Sequence, residues 1–444
     1  MTGTGAGGLG ALGREIMSLR PVRAVGRVVR AGHGTIEIDG LETDAALGDH
    51  VCVEAATGAL RGEIVDLSDR RVLVLPDGSG EGVRIGDPVV LEGAASIAPA
   101  DHWIGRVINP YGQPLDGRPI ARGPVERPLK SLPPRATGRR PLGPRLVTGL
   151  AVLDTLLPLV RGQRIGVFSG SGVGKSTLLA NLAKGVDADV AVIALAGERG
   201  REVREFVEET LGPEGMKKSV IVAATSDQPP LARRRALWAA MAIAEHFRDL
   251  GRHVLFLADS VTRFAEAHRE VALASGETSS LRGFPPSVAH LIMALAERSG
   301  PGPRSCEGDI TAIFTVLVAG SDMDEPIADI LRGVLDGHIV LDRQIAERGR
   351  FPAIDLLRSV SRSLPGAAST AENELIRLAR QRLGTYDRAE LMIQSGLYSS
   401  GSDPEIDAAL KAWPALDRFL AEPSPDGPET AFRRLAECLS TTLR

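Results

Sequence analysis

Apolar residues fall along this chain in three successive arrangements, each predicting a different kind of structure. From residue 21 to about 95 they come in brief runs: Val25–Val29, Thr35–Ile38, His50–Glu54, Gly62–Val65, Arg71–Leu75 and Pro88–Leu91, separated by turns carrying Gly and Asp. Strands this short at such regular spacing predict a small closed β-barrel. From about 146 to 365 the runs are more continuously apolar, at Ile165–Phe168, Val190–Ala196, Val220–Ala224, Val254–Ala258, Ile313–Val318 and His338–Leu341, with amphipathic segments between them. That alternation predicts a parallel sheet covered by helices. After Pro365 the period is helical, over Ala371–Leu383, Glu390–Gln394, Pro404–Phe419 and Pro428–Leu443, so the tail is expected to be a mainly helical third domain.

The stretches between complete the division. Residues 1 to about 10 are too rich in Gly to fold alone and are expected to be mobile. Leu9, Leu12, Ile16 and Leu19 then fall at helical spacing, as in a short amphipathic segment that either docks a partner or packs on the barrel. Residues 96–145, rich in Pro and Gly, read as a connector. The expected organisation is therefore a leader at 1–20, a barrel at 21–95, a core at 96–365 that includes the connector, and a helical domain at 366–444.

One stretch carries chemistry on its own. Ile165–Phe168 reads as a buried strand, Ser169-Gly-Ser-Gly-Val-Gly-Lys-Ser176 as a Gly-rich turn, and Ser176-Thr-Leu-Leu-Ala-Asn-Leu as the opening of a helix. Strand, loop and helix in that order form the context a phosphate-binding loop needs. Gly170, Gly172 and Gly174 allow successive amides to point inward around an anion, with Ser171, Val173 and Thr177 contributing to the same cradle. Lys175 is placed to reach the outer phosphates, and the Ser176 hydroxyl to ligate magnesium. The first Gly of the usual pattern is Ser169 here.

Two more apolar runs end in carboxylates. Val254-Leu-Phe-Leu-Ala-Asp259 offers Asp259 as a second anchor for the metal's hydration shell, and the run ending in Ala196-Gly-Glu198 offers Glu198 to orient an attacking water. By itself each is also an ordinary charged strand end.

Composition narrows the function without naming it. The 444 residues are 43% hydrophobic and 24% charged with a net charge of −4, an ordinary soluble composition without the global basic field of a nucleic-acid binder. The three cysteines, Cys52, Cys306 and Cys438, lie far apart, which suggests neither disulfides nor a zinc site. No apolar run approaches the ~18 residues of a membrane span and no secretory signal is evident, so a cytoplasmic location is expected.

Many ordered blocks carry a family resemblance. Val147–Arg164 leading into Ser169–Ser176, together with Gly105–Gly117, Asp259–Phe264, Gly283–Ser287, Asp324–Asp329, Leu335–Asp342, Phe351–Asp355 and Gly401–Asp407, resembles the catalytic-subunit (alpha/beta) family of rotary ATP synthases. Within it the chain most resembles the flagellar and type III secretion export ATPases, the flagellar branch first. The resemblance implies an α/β P-loop NTPase core of RecA-like type with a parallel sheet, a small N-terminal β-barrel before it and a helical C-terminal domain after it. It implies magnesium-dependent ATP hydrolysis that energises protein export, with injectisome-type secretion as the alternative.

The same resemblance makes Lys175, Glu198, Arg199, Asp259 and Arg362 the catalytic set. Arg199 would sit beside the γ-phosphate, and Arg362 would be the arginine a neighbouring subunit inserts. Phe351, where the family often has Tyr, would face the adenine. The implied partners are copies of the chain in a ring expected to be hexameric, a regulator on the N-terminal segment, a coiled-coil stalk, and chaperone–substrate complexes and an export gate at the membrane periphery. Two other readings, a Rho-like nucleic-acid motor and a non-catalytic ring subunit, fit less well. The barrel stretch from 21 to 95 holds no Phe, Tyr or Trp on which bases could stack, and Glu198 is present.

Overall fold

The structure, a computed structural model, describes residues 22–32, 34–280, 283–318 and 323–440. The amphipathic segment with Leu12, Ile16 and Leu19 lies outside them.

Six strands, β1 (Val25–Gly32), β2 (Thr35–Asp39), β3 (His50–Ala55), β4 (Gly58–Ser68), β5 (Arg71–Pro76) and β6 (Pro88–Gly93), close into a barrel in the order β1-β2-β5-β4-β3-β6. Alternation drives the closure: Val28, Ile36, Ile38, Val51, Val53, Ile64, Val72, Val74 and Val89 all turn inward and form its core. The barrel is held to the rest of the chain by a polar joint. Glu63 of β4 pairs with Arg234 at 2.5 Å and with Lys130 at 3.2 Å, and the two arginine and lysine charges lie over the Trp238 ring at 4.9 and 4.7 Å.

After the short antiparallel pair β7 (Ser96–Ile97) and β9 (Arg127–Pro128), the main sheet takes over. Its strands are β8 (Arg106–Ile108), β10 (Arg164–Ser169), β11 (Val190–Glu198), β12 (Ser219–Thr225), β13 (His253–Asp259), β15 (Asp309–Leu317), β16 (Gly337–Leu341) and β17 (Ile354–Ser361), with the two-residue β14 (Gly300–Pro301) pairing off β15. The order across the sheet is β17-β16-β10-β15-β13-β11-β12-β8, parallel except for β17 and β14. Helices cover both faces, and one of them, Pro230–Asp249, is buried over most of its length because it lies under both the sheet and the barrel joint.

Two features differ from the sequence reading. The Pro- and Gly-rich stretch 96–145 gives the sheet an edge strand, β8, in register with Val220–Val222. Three residues are too few for periodicity to show. Arg106 fixes the following turn by pairing bidentately with Asp116 at 2.6 and 2.7 Å. The helical segments Ala371–Leu383 and Glu390–Gln394 are one helix, Thr370–Gln394, started by a Ser369/Glu372 capping box and continuing through Gly384. Here packing against β17 and the Pro404–Phe419 helix outweighs the roughly 1 kcal/mol cost of an interior Gly. The last helix is Gly427–Ser440.

Because the central strands are parallel, their carboxyl ends share one edge, and Ser169, Glu198, Asp259 and Thr225 finish four of them there. β15 separates the strand of Ser169 from that of Asp259.

Candidate functional site

The site is built on the turn between β10 and the helix Lys175–Gly185. Ser169 is the last residue of β10 and fully buried, so the one non-glycine position of the motif sits in strand geometry that any residue adopts. Gly172 and Gly174 have φ of 77° and 86°, in the left-handed region that favours glycine. Gly174 is also the residue from which the helix starts. Val173 turns its side chain into the core at 2% exposure, which leaves its backbone for the loop surface. Ser171, Gly172, Ser176 and Thr177 are exposed, and with Gly170, Gly174 and Lys175 they line one side of an open cleft of ≈ 900 Å³. That volume is in the range of ordinary ligand sites.

Lys175 is the electrostatic centre. Its ammonium lies 3.5 Å from Glu198 Oε1 and forms a still shorter contact to Asp259 Oδ1. Burial works against the lysine charge, but the Asp259 and Glu198 carboxylates outweigh it and raise the lysine above its ordinary value. Glu198 responds in the opposite sense. Burial pushes its carboxyl up, Lys175 opposes, Asp259 reinforces, and the result is about 7. Beside it, Glu202 is held below the usual carboxylate range, first by its hydrogen bond with Glu198. Asp259, 3% exposed, also accepts a hydrogen bond from the Thr315 hydroxyl at 2.8 Å. A second, smaller cavity is lined by Ser176, Glu198, Glu202 and Asp259 together.

The remaining expected residues fall in three different situations. Phe351 is half-exposed, and its ring lies over Gly174, where an added Cβ would meet it at 3.2 Å. Segments some 180 positions apart are thus brought into contact by the pairing of β16 and β17 next to β10. Arg199 lies at the cleft rim, but its side chain is 80% exposed and pairs with Glu202 at 3.1 Å, so it is not brought to Lys175. Arg362 is not brought to this cleft at all. Its backbone amide donates to Asp336, whose amide donates to Arg164 at the start of β10, and its guanidinium donates to the carbonyls of Leu335 and Arg332 at 3.1 and 3.2 Å. Five residue steps along β10, about 16 Å, separate that edge from the loop.

Several cleft side chains carried no signal that the motif reading used. Arg263 follows Asp259 by one helical turn, packs its stem on Gly197 (3.0 Å to an added Cβ, φ 76°) and pairs with Glu266 at 2.8 Å. Arg233, from the Pro230–Asp249 helix, grips Glu270 at 2.9 and 3.0 Å. Helical phase from the strand ends could have pointed to Arg263. Nothing local could have pointed to Arg233, which reaches the cleft only through tertiary packing. Among the described residues no three His, Cys, Asp or Glu side chains form a ready-made metal cage, and no helix is long and apolar enough to cross a membrane.

Known proteins match this geometry along most of the chain. Residues 149–361 match the ATP synthase alpha/beta family, nucleotide-binding domain, and residues 368–430 match the T3SS EscN ATPase C-terminal domain. The chain is 47% identical over 410 residues to the flagellum-specific ATP synthase of Caulobacter vibrioides, which covers 90% of this chain and 92% of that one. It is 43% identical over 397 residues to the SPI-2 type 3 secretion system ATPase of Salmonella typhimurium, covering 89% and 90%. Among solved structures, the assembled ATPase EscN from the enteropathogenic E. coli type III secretion system superposes with a TM-score of 0.85 at 38% identity, over 93% of this chain and 100% of that one.

Proposed function

Because the chain belongs to the ATP synthase alpha/beta family, in the branch of flagellum-specific ATP synthases and type III secretion ATPases, we propose that it hydrolyses ATP to energise protein export through a flagellar type III apparatus. The observation that carries the reading is Lys175 held between Glu198 and Asp259 at the mouth of a phosphate-binding loop. The loop amides and Lys175 bind the β- and γ-phosphates, and Phe351 offers its face to the base. Glu198, poised near neutrality, positions the attacking water and accepts its proton; a base tuned to the working pH is the efficient choice.

A magnesium ion suits the donors present. Ser176 and Asp259 supply two oxygens at one cavity, and an ion that keeps most of its waters and binds substrate phosphates needs no more from the protein. When bound it would neutralise charge between the outer phosphates.

Among the described residues the arginines that line the cleft, Arg199, Arg233 and Arg263, are each paired with a glutamate, and Arg362 lies at the opposite end of β10 from its own loop. The reading therefore puts Arg362 of one copy into the site of the next, so that hydrolysis requires assembly. The EscN neighbour is described as assembled and as a complex with its central stalk EscO, which supports a ring around a stalk here as well. A regulator on residues 1–20, chaperone–substrate complexes on the helical domain and a peripheral place at the membrane gate complete the proposal.

A second reading, injectisome secretion, is favoured by the EscN and SPI-2 matches. Replacing the chromosomal gene with a Lys175→Ala allele tests the choice. Loss of motility and of filament export, with the variant still expressed, is the expected result; normal motility would refute the flagellar reading.

A further inference from the structure

We infer that Thr315 is a positioning residue for Asp259, fixing the plane of its carboxylate so that one oxygen is held by the protein and the other is left to meet the hydrated cation; the inference rests on the reading of the site given above. Thr315 lies on β15, between the strand that feeds the phosphate loop and the strand that ends in Asp259. On one side it is in register with Val167 of β10, and on the other its neighbour Phe314 is in register with Ala258 of β13. It is fully buried, and it is one of two hydroxyls on this strand: Thr311, nearer the strand's start, bonds Gly162 and His253, while Thr315 is the one at the end that faces the site.

A residue needed there only for strand propensity and packing would serve as well as valine, which has the same branched shape. The hydroxyl instead donates to Asp259 Oδ1 at 2.8 Å, with the Ala258 carbonyl at 3.1 Å as the competing acceptor for its single proton. The same Oδ1 receives the Lys175 ammonium. Two donors therefore occupy Oδ1, while Oδ2 has no hydrogen-bond partner among the described residues. A carboxylate turns about its last torsion through a broad well, so an ammonium alone would leave the carboxylate plane loosely set. The Thr315 hydroxyl, fixed by the sheet, is a second donor to the same oxygen and holds that plane. One oxygen is thereby kept on the protein side and the other is left for the cavity shared with Ser176 and Glu198.

The test compares binding rather than turnover. Titrating a fluorescent ADP into the full-length protein, with magnesium and then with EDTA, gives the affinity gained from the cation. Thr315→Val is expected to lose about tenfold of that gain while its affinity in EDTA and its melting temperature stay near wild type, since a charge-assisted hydrogen bond of ordinary strength corresponds to roughly that factor. Thr315→Ser, which keeps the donor and loses the methyl, should recover most of it. A full magnesium gain in Thr315→Val, or an equal loss in Thr315→Ser, would overturn the proposal and leave Thr315 as packing. A wild type that gains nothing from magnesium would overturn the reading of the site itself, and the inference with it.

Discussion

Replacing Glu198 with Gln separates chemistry from binding, and the structure gives its size and pH dependence in advance. The substitution keeps the shape and removes a carboxyl that burial raises from 4.5 to about 7. Because the folded chain holds that proton more tightly than the unfolded one, the associated stability is fully present below pH 4.5 and is lost as pH climbs through 7. At about 1.4 kcal/mol for each pH unit between the two values, the loss would be about 3.4 kcal/mol; partial exposure and the neighbouring Lys175 reduce it to about 2. Glu198→Gln removes this term. The variant should match wild type in melting temperature near pH 5 and exceed it by about 2 °C near pH 8.

Turnover should move the other way. In wild type, kcat/KM for ATP should rise with pH through about 7 as the free carboxyl ionises. In Glu198→Gln, phosphate release should fall by about 10²- to 10⁴-fold while ATP still binds, because Lys175 keeps Asp259 and the loop is untouched. A phosphate-release assay from pH 5.5 to 8.5, with a parallel thermal scan, reads both effects. Full turnover by the variant, or a flat wild-type profile, would refute the assignment of Glu198 as the base.

Two other perturbations probe different parts of the chain. Phe351→Ala should weaken ATP binding about tenfold while Phe351→Tyr leaves it nearly unchanged, as measured by nucleotide titration, since the stacking face rather than a polar contact does the holding. Arg234→Met leaves Glu63 buried with Lys130 as its remaining cation and should cost about 3 kcal/mol in urea unfolding, with the barrel loosening first in hydrogen exchange.

What the sequence made legible follows from where its signals are local. Ser169, Glu198 and Asp259 each end an apolar run, and in a parallel sheet such ends must share an edge, so their convergence could be expected before any coordinates. The barrel was equally legible, because alternation in each short strand marks its inner face. The edge strand Arg106–Ile108 was hidden by its length, and the unity of Thr370–Gln394 by a glycine that tertiary contacts override. The contact of Phe351 with Gly174 depends on the order of strands across the sheet, which no local pattern encodes. Thr315 lies within the apolar run Ile313–Val318, and only the order of strands across the sheet brings its hydroxyl to Asp259. Arg199 lines the same cleft from its rim, exposed and paired with Glu202, a pairing that no local pattern encodes.

The central claim is that each site is half of a pair, with Lys175 on one copy and Arg362 on the next. Mixing two inactive variants tests it most directly. Lys175→Ala and Arg362→Ala should each hydrolyse almost no ATP alone, and an equimolar mixture should regain activity, with about one interface in four carrying both residues when copies assemble at random. Wild-type turnover by Arg362→Ala alone, or no gain in a mixture shown to assemble, would contradict the account.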